Sequence, residues 1–185
     1  MLTAVTVVVI ASLTTQGYDP ITRTVSRLPA PGVDVAIGFM AVAAFAIAAA
    51  GGRSVALFVA AFGFALAALI HLDPASPAAT TGHRVAAGIA VLGLTAAPFA
   101  RNYGRISLAL GVAEVAMLAA AAVLLLTPFN AWGAWERILL SLALAWMVLV
   151  ALKILSREDT ASARSAASRS GASYTPVSSV NSANR

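Results

Sequence analysis

Six stretches of the chain are long runs of apolar residues, and short polar segments separate them. They are 2–16, Val33–Ala50, Ser54–Leu72, Val85–Ala100, Ile106–Leu126 and a last run opened by Glu136-Arg137 and ending at Leu155. Runs of about 18 apolar residues with few charges predict transmembrane helices. The first is short: at about 1.5 Å per residue it reaches roughly 22 Å, against a hydrocarbon core of about 30 Å. A signal peptide would need a basic n-region and a small-x-small cleavage site, and neither stands before Gly17. The run is therefore read as a first span. Between it and the second lies Tyr18-Asp-Pro-Ile-Thr-Arg-Thr-Val-Ser-Arg-Leu-Pro29. Asp19-Pro20 is a helix-start signal, and Pro29 and Pro31 are stops. At 100° per residue, Ile21, Thr24, Val25 and Leu28 share one face, while Thr22, Arg23, Ser26 and Arg27 share the other. The pattern predicts a short interfacial helix over 19–28, apolar side down, with Asp19 paired to Arg23 at i, i+4. From Ser156 onward the residues are Ser, Ala, Arg and Asn, which predicts a disordered tail over 156–185. The expectation is an all-α six-transmembrane-helix bundle over 1–155 followed by that tail.

Composition sharpens this reading. Of 185 residues, 60% are hydrophobic and 10% charged, where soluble domains carry about 25% charged. There is no cysteine, which excludes disulfides and thiolate metal sites. The net charge of +5 lies in loops and tail, so it points to membrane orientation and not to nucleic acid. With six spans, Arg53, Arg101, Arg105, Lys153, Arg157, Arg164, Arg169 and Arg185 share one side, and Arg23, Arg27, Arg84 and Arg137 share the other. The positive-inside rule then puts both termini in the cytoplasm. Abundant alanine and eleven arginines to one lysine suggest a GC-rich bacterial genome and hence a bacterial inner membrane.

This topology gathers Asp19, Arg23, Ser26, Arg27, His71, Asp73, His83, Arg84, Glu136 and Arg137 at the outer ends of the helices. Charges at such positions often serve only helix ends and dipoles, as Asp19, Asp34 and Glu136 would. Alternatively Arg23, Arg27, Arg84 and Arg137 converge on the anionic head group of a membrane lipid, or on a membrane-protein partner or second copy, or with the four nearby acids they form an internal salt-bridge network that fixes the flat helix onto the bundle. A third reading is a membrane-embedded metal-dependent hydrolase with His71, Asp73, His83 and Glu136 as ligands and Ser26 as a nucleophile. Its spacing is not diagnostic, since no helical His-x-x-x-His pair exists. No motif implies a cofactor. Glu114 is separate: about nine residues into the fifth run, it is an ionisable group at roughly 13 Å depth. Ala44 with Ala48, Ala46 with Ala50, and Gly93 with Ala97 have the spacing of close helix contacts.

With these residues laid out, the chain resembles the bacterial membrane family known as domain of unknown function 998. The matching features are Tyr18-Asp-Pro-Ile-Thr-Arg-Thr-Val-Ser26-Arg-Leu28, Asp73 followed by Gly82-His83-Arg84, and Trp132-Gly133 with Glu136-Arg137-Ile138. Arg27 departs from the family pattern, which often has an acidic residue after the serine. The resemblance covers about residues 1–155 and implies a six-helix membrane bundle. It implies no reaction.

Overall fold

A computed structural model describes residues 2–28, 32–51, 53–101 and 103–170. Every regular element among them is helical: α1 (Leu2–Thr14), α2 (Gly32–Ala50), α3 (Val55–Leu69), α4 (Pro77–Ala100), α5 (Arg105–Leu124) and α6 (Trp132–Ser170), plus a 3-10 turn at Val25–Arg27. Four of these, α2, α4, α5 and α6, are long and apolar enough to cross a membrane, while α1 and α3 are shorter apolar helices. The described residues fall into two compact units, one running up to Ala151 and one beginning at Leu152.

Local chemistry sets the helix starts. Ser54 caps α3 by accepting the Leu57 N–H, and Ser76 caps α4 by accepting that of Ala79. Pro77 follows Ser76 at the first turn, where its missing N–H costs nothing. This Ser-Pro pair starts α4 eight residues before the Val85 start expected from hydropathy, because the polar first turns of α4 do not look like a span.

Among the described residues alanine supplies half of the buried apolar ones, beside larger ones such as Leu57, Phe64, Trp146 and Met147. Ala44, Ala48, Ala60, Ala90 and Ala97 are fully buried, while Phe39, Val42, Phe45, Phe62, Leu69 and Leu92 are exposed. A protein folded in water would sort these the other way. Where lipid is the solvent, side-chain size rather than hydrophobicity decides the interior, and small residues let helices approach. The closest approach is between α3 and α4. A Cβ on Gly63 would collide with the Ala90 backbone nitrogen and lie 2.7 Å from its Cα; one on Gly93 would stand 2.5 Å from Ala60 N. The α4–α5 contact has the same character, since a Cβ on Gly111 would meet Pro98 Cβ at 2.7 Å. Of the expected small-residue pairs, Ala44–Ala48 and Gly93–Ala97 are buried, and Ala46–Ala50 is exposed. Trp146 on α6 is buried and donates its indole N–H to Ser107 Oγ of α5 at 2.7 Å.

Two expectations fail. Residues 19–28 are not a helix; beyond a turn around Asp19 they hold only the three-residue 3-10 segment. Pro29 and Pro31, expected to stop it, lie outside the described residues. Residues 156–170, expected to be disordered, continue α6. They are rich in Ala and Arg, both strong helix formers, and extending an existing helix avoids the cost of nucleation. Residues 171–185 lie outside the described residues.

Candidate functional site

The start of α6 and the segment 18–28 form one polar assembly. Gly133 is the contact point: a side chain there would overlap the Arg23 carbonyl and stand 2.6 Å from that of Pro20. Ala134 N donates to Ile21 O at 2.9 Å. One turn along α6, Arg137 spreads its guanidinium over the same loop. It donates to Pro20 O at 2.7 Å, Arg23 O at 3.2 Å, Gly133 O at 3.0 Å, Ser12 Oγ at 3.3 Å and Tyr18 Oη at 2.7 Å. It also stands 5.7 Å from the centre of the Tyr18 ring, within cation–π range. The Tyr18 hydroxyl makes contacts of 3.0 and 2.9 Å with the Arg23 and Thr24 carbonyl oxygens. Glu136 Oε2 accepts the Val25 N–H. Beneath this network Tyr18, Val25, Leu28 and Val33 form a buried apolar cluster, with Leu140 of α6 packed on it. The Pro20, Ile21 and Arg23 carbonyls and the Val25 N–H, which a helix would have satisfied internally, are taken by Tyr18 and α6 instead, while the Arg23 N–H still donates to Asp19 O.

The acids of the expected cluster are each committed locally. Asp19 accepts the Ile21 N–H at 3.0 Å and the Thr22 hydroxyl at 2.8 Å. Those bonds, the Ile21 N–H first, hold its carboxyl below the usual value, and Arg23 adds least. The expected Asp19–Arg23 salt bridge is not formed among the described residues; Asp34 instead meets His71 Nδ1 at 3.3 Å. Asp73 closes the turn before α4, accepting from Ala75 N at 2.9 Å. His83 is buried and its Nδ1 lies 2.7 Å from Ile70 O.

The metal-ligand set therefore does not assemble. His71, Asp73, His83 and Glu136 have separate partners, and no three His, Cys, Asp or Glu residues converge among the described residues. Nor do the four arginines converge. Arg137 is occupied by the 18–24 loop, while Arg84 does not line the groove that Arg23 and Arg27 share. That groove, about 320 Å³, is lined by Arg23, Ser26, Arg27, Leu28, His71, Leu72 and Pro74. Arg23 and Arg27 are exposed, and no carboxylate lines it. Chemically it offers two guanidinium forks, an imidazole and a hydroxyl against an apolar floor.

The family model described as "Protein of unknown function (DUF998)" matches residues 1–153. The chain belongs to that family. No curated protein and no solved structure matches it.

In this DUF998 protein a second polar position lies apart from the groove. Glu114 of α5 is 1% exposed, and neither carboxyl oxygen has a hydrogen-bond partner. It faces a cavity of about 10 Å³ shared with Thr95 of α4 and Leu139, Leu140 and Ala143 of α6. Its apolar setting was legible in the sequence; the roles of Tyr18 and Gly133 were not. Both stand in the motifs that carry the family resemblance, but nothing in those motifs says that the two residues meet.

Proposed function

We propose that this DUF998 protein is a six-span protein of the bacterial inner membrane, with both termini cytoplasmic, and that its groove binds the anionic head group of a membrane lipid at the outer face. The short helices α1 and α3 count as crossings on this reading, and the arginine and lysine distribution sets the orientation. One observation carries the binding: the exposed Arg23 and Arg27 border one groove with Ser26, no carboxylate lines it, and the acid beside it, Asp34, is engaged with His71 Nδ1. Guanidinium forks match phosphate oxygens, and a hydroxyl adds a further donor. The Arg137 clamp holds this loop in place and is structural.

The test is lipid retention by the purified protein in native mass spectrometry, after exchange with phosphatidylglycerol or phosphatidylcholine. Preferential retention of phosphatidylglycerol, lost in Arg23→Ala/Arg27→Ala, supports the reading. Equal retention of both lipids, or a preference unchanged by the double variant, refutes it.

A second reading is favoured by the Asp34–His71 contact. A carboxylate on Nδ1 orients an imidazole and leaves Nε2 for a proton, and Ser26 lines the same groove. The groove would then be a metal-independent serine hydrolase site acting on an anionic ester. Covalent labelling by a fluorophosphonate, abolished by Ser26→Ala, would establish it; no labelling of the folded protein removes it.

A further inference from the structure

Glu114 presents a problem that the groove does not address. It lies about nine residues into α5 from Arg105, roughly 13 Å along the axis. Its two carboxyl oxygens are sealed from solvent and make no hydrogen bond. α4 carries Arg84 and α6 carries Arg137 and Lys153, but among the described residues no charged side chain other than Glu114 lines the cavity. α4 contributes Val91, Leu94 and Thr95 to the cavity and α6 contributes Leu139, Leu140 and Ala143. Three residues before Glu114, Gly111 sits against Pro98 and Phe99 and closes the junction from that side.

A bare carboxylate at this depth is strongly disfavoured. The occupant that neutralises it must be small and satisfied by few ligands. Calcium and magnesium take six or more oxygens, and the cavity holds one carboxyl and one hydroxyl. A cavity of about 10 Å³ is at the lower edge of what a single water fills, so organic cations do not fit. That leaves the proton. We infer that Glu114 and Thr95 form a buried proton-binding site at the junction of α4, α5 and α6, with Glu114 a neutral acid while the junction is closed. The neutral acid carries an O–H donor, and Thr95 is the polar group standing beside it. Releasing that proton requires water or a counter-ion to enter the junction, so charge on Glu114 and opening of these three helices are one event.

Infrared spectroscopy of the reconstituted full chain tests this. The chain has three glutamates, Glu114, Glu136 and Glu158. The expected result is a neutral-carboxyl stretching band at neutral pH that shifts on carboxyl-¹³C glutamate labelling. It disappears in Glu114→Gln and persists in Glu136→Gln/Glu158→Gln. No such glutamate band, or one that survives Glu114→Gln, overturns the inference. If Glu114→Gln does not fold, the labelled double variant decides alone. A band there belongs to Glu114 and supports the site; its absence overturns it.

Discussion

Replacing Arg137 by alanine tests the assembly that shapes the 18–28 segment. The guanidinium makes five hydrogen bonds, to Ser12, Tyr18, Pro20, Arg23 and Gly133. A hydrogen bond to a charged group contributes about 1.5–3 kcal/mol. The five share one group and do not add, and the Arg23 carbonyl keeps its contact with the Tyr18 hydroxyl. The Pro20 carbonyl loses a donor, and the Tyr18 hydroxyl loses the guanidinium that orients it. Two bonds at the low end give a loss of about 3 kcal/mol. For a chain of this size that lowers Tm by roughly 6–12 °C. The assay is thermal unfolding in detergent, followed by the emission of Trp132 and Trp135. Arg137→Lys recovers less than half of the loss, because a point charge cannot fork across two carbonyls. Tyr18→Phe destabilises less than Arg137→Ala, and the two losses are sub-additive in the double variant. A drop below about 2 °C for Arg137→Ala, or full rescue by lysine, refutes the clamp.

Further outcomes follow from the same packing. Gly63→Val forces a side chain into the Ala90 backbone and costs about 3 kcal/mol or more, whereas Gly88→Ala, with open space at its Cβ, stabilises by roughly 0.5–1 kcal/mol; thermal unfolding reads both. Ser107→Ala leaves the buried Trp146 N–H without its acceptor and costs about 1–3 kcal/mol, seen as a lower unfolding temperature. Asp19, whose carboxyl is held below its ordinary 3.8, stabilises its turn fully above that value. That stabilisation is lost as pH falls through the depressed folded-state value, so hydrogen exchange at the Ile21 amide accelerates only in that acid range and is already fast in Asp19→Ala.

The sequence reading placed the apolar helices because long uncharged runs are legible on their own, and α2 and α5 begin and end within two residues of expectation. It misread 19–28 because the facial pattern of Ile21, Thr24, Val25 and Leu28 fits a helix as well as a loop folded over Tyr18. What decided the matter was a partner over a hundred residues away: Glu136 and Arg137 satisfy backbone groups that a helix would have bonded internally. The acids were misassigned for a related reason. Spacing suggested Asp19 with Arg23, but a carboxylate at a turn finds N–H and hydroxyl donors two and three residues on before it finds a flexible arginine. That Arg23 and Arg27 stand on one exposed polar face was legible; that Arg137 would be withdrawn from the set was not, since nothing local marks which guanidinium the loop will take.

On the proposed topology α4, α5 and α6 cross the bilayer in turn, which puts the groove outside and the far end of α6 inside. The chain lacks cysteine, so each introduced thiol is unique. Ala75→Cys lies beside the groove on an exposed turn, and Ala161→Cys is exposed near the far end of α6. A membrane-impermeant maleimide applied to intact cells should label Ala75→Cys at once and Ala161→Cys only after permeabilisation. Labelling of both in intact cells, or of Ala161→Cys alone, would contradict the account.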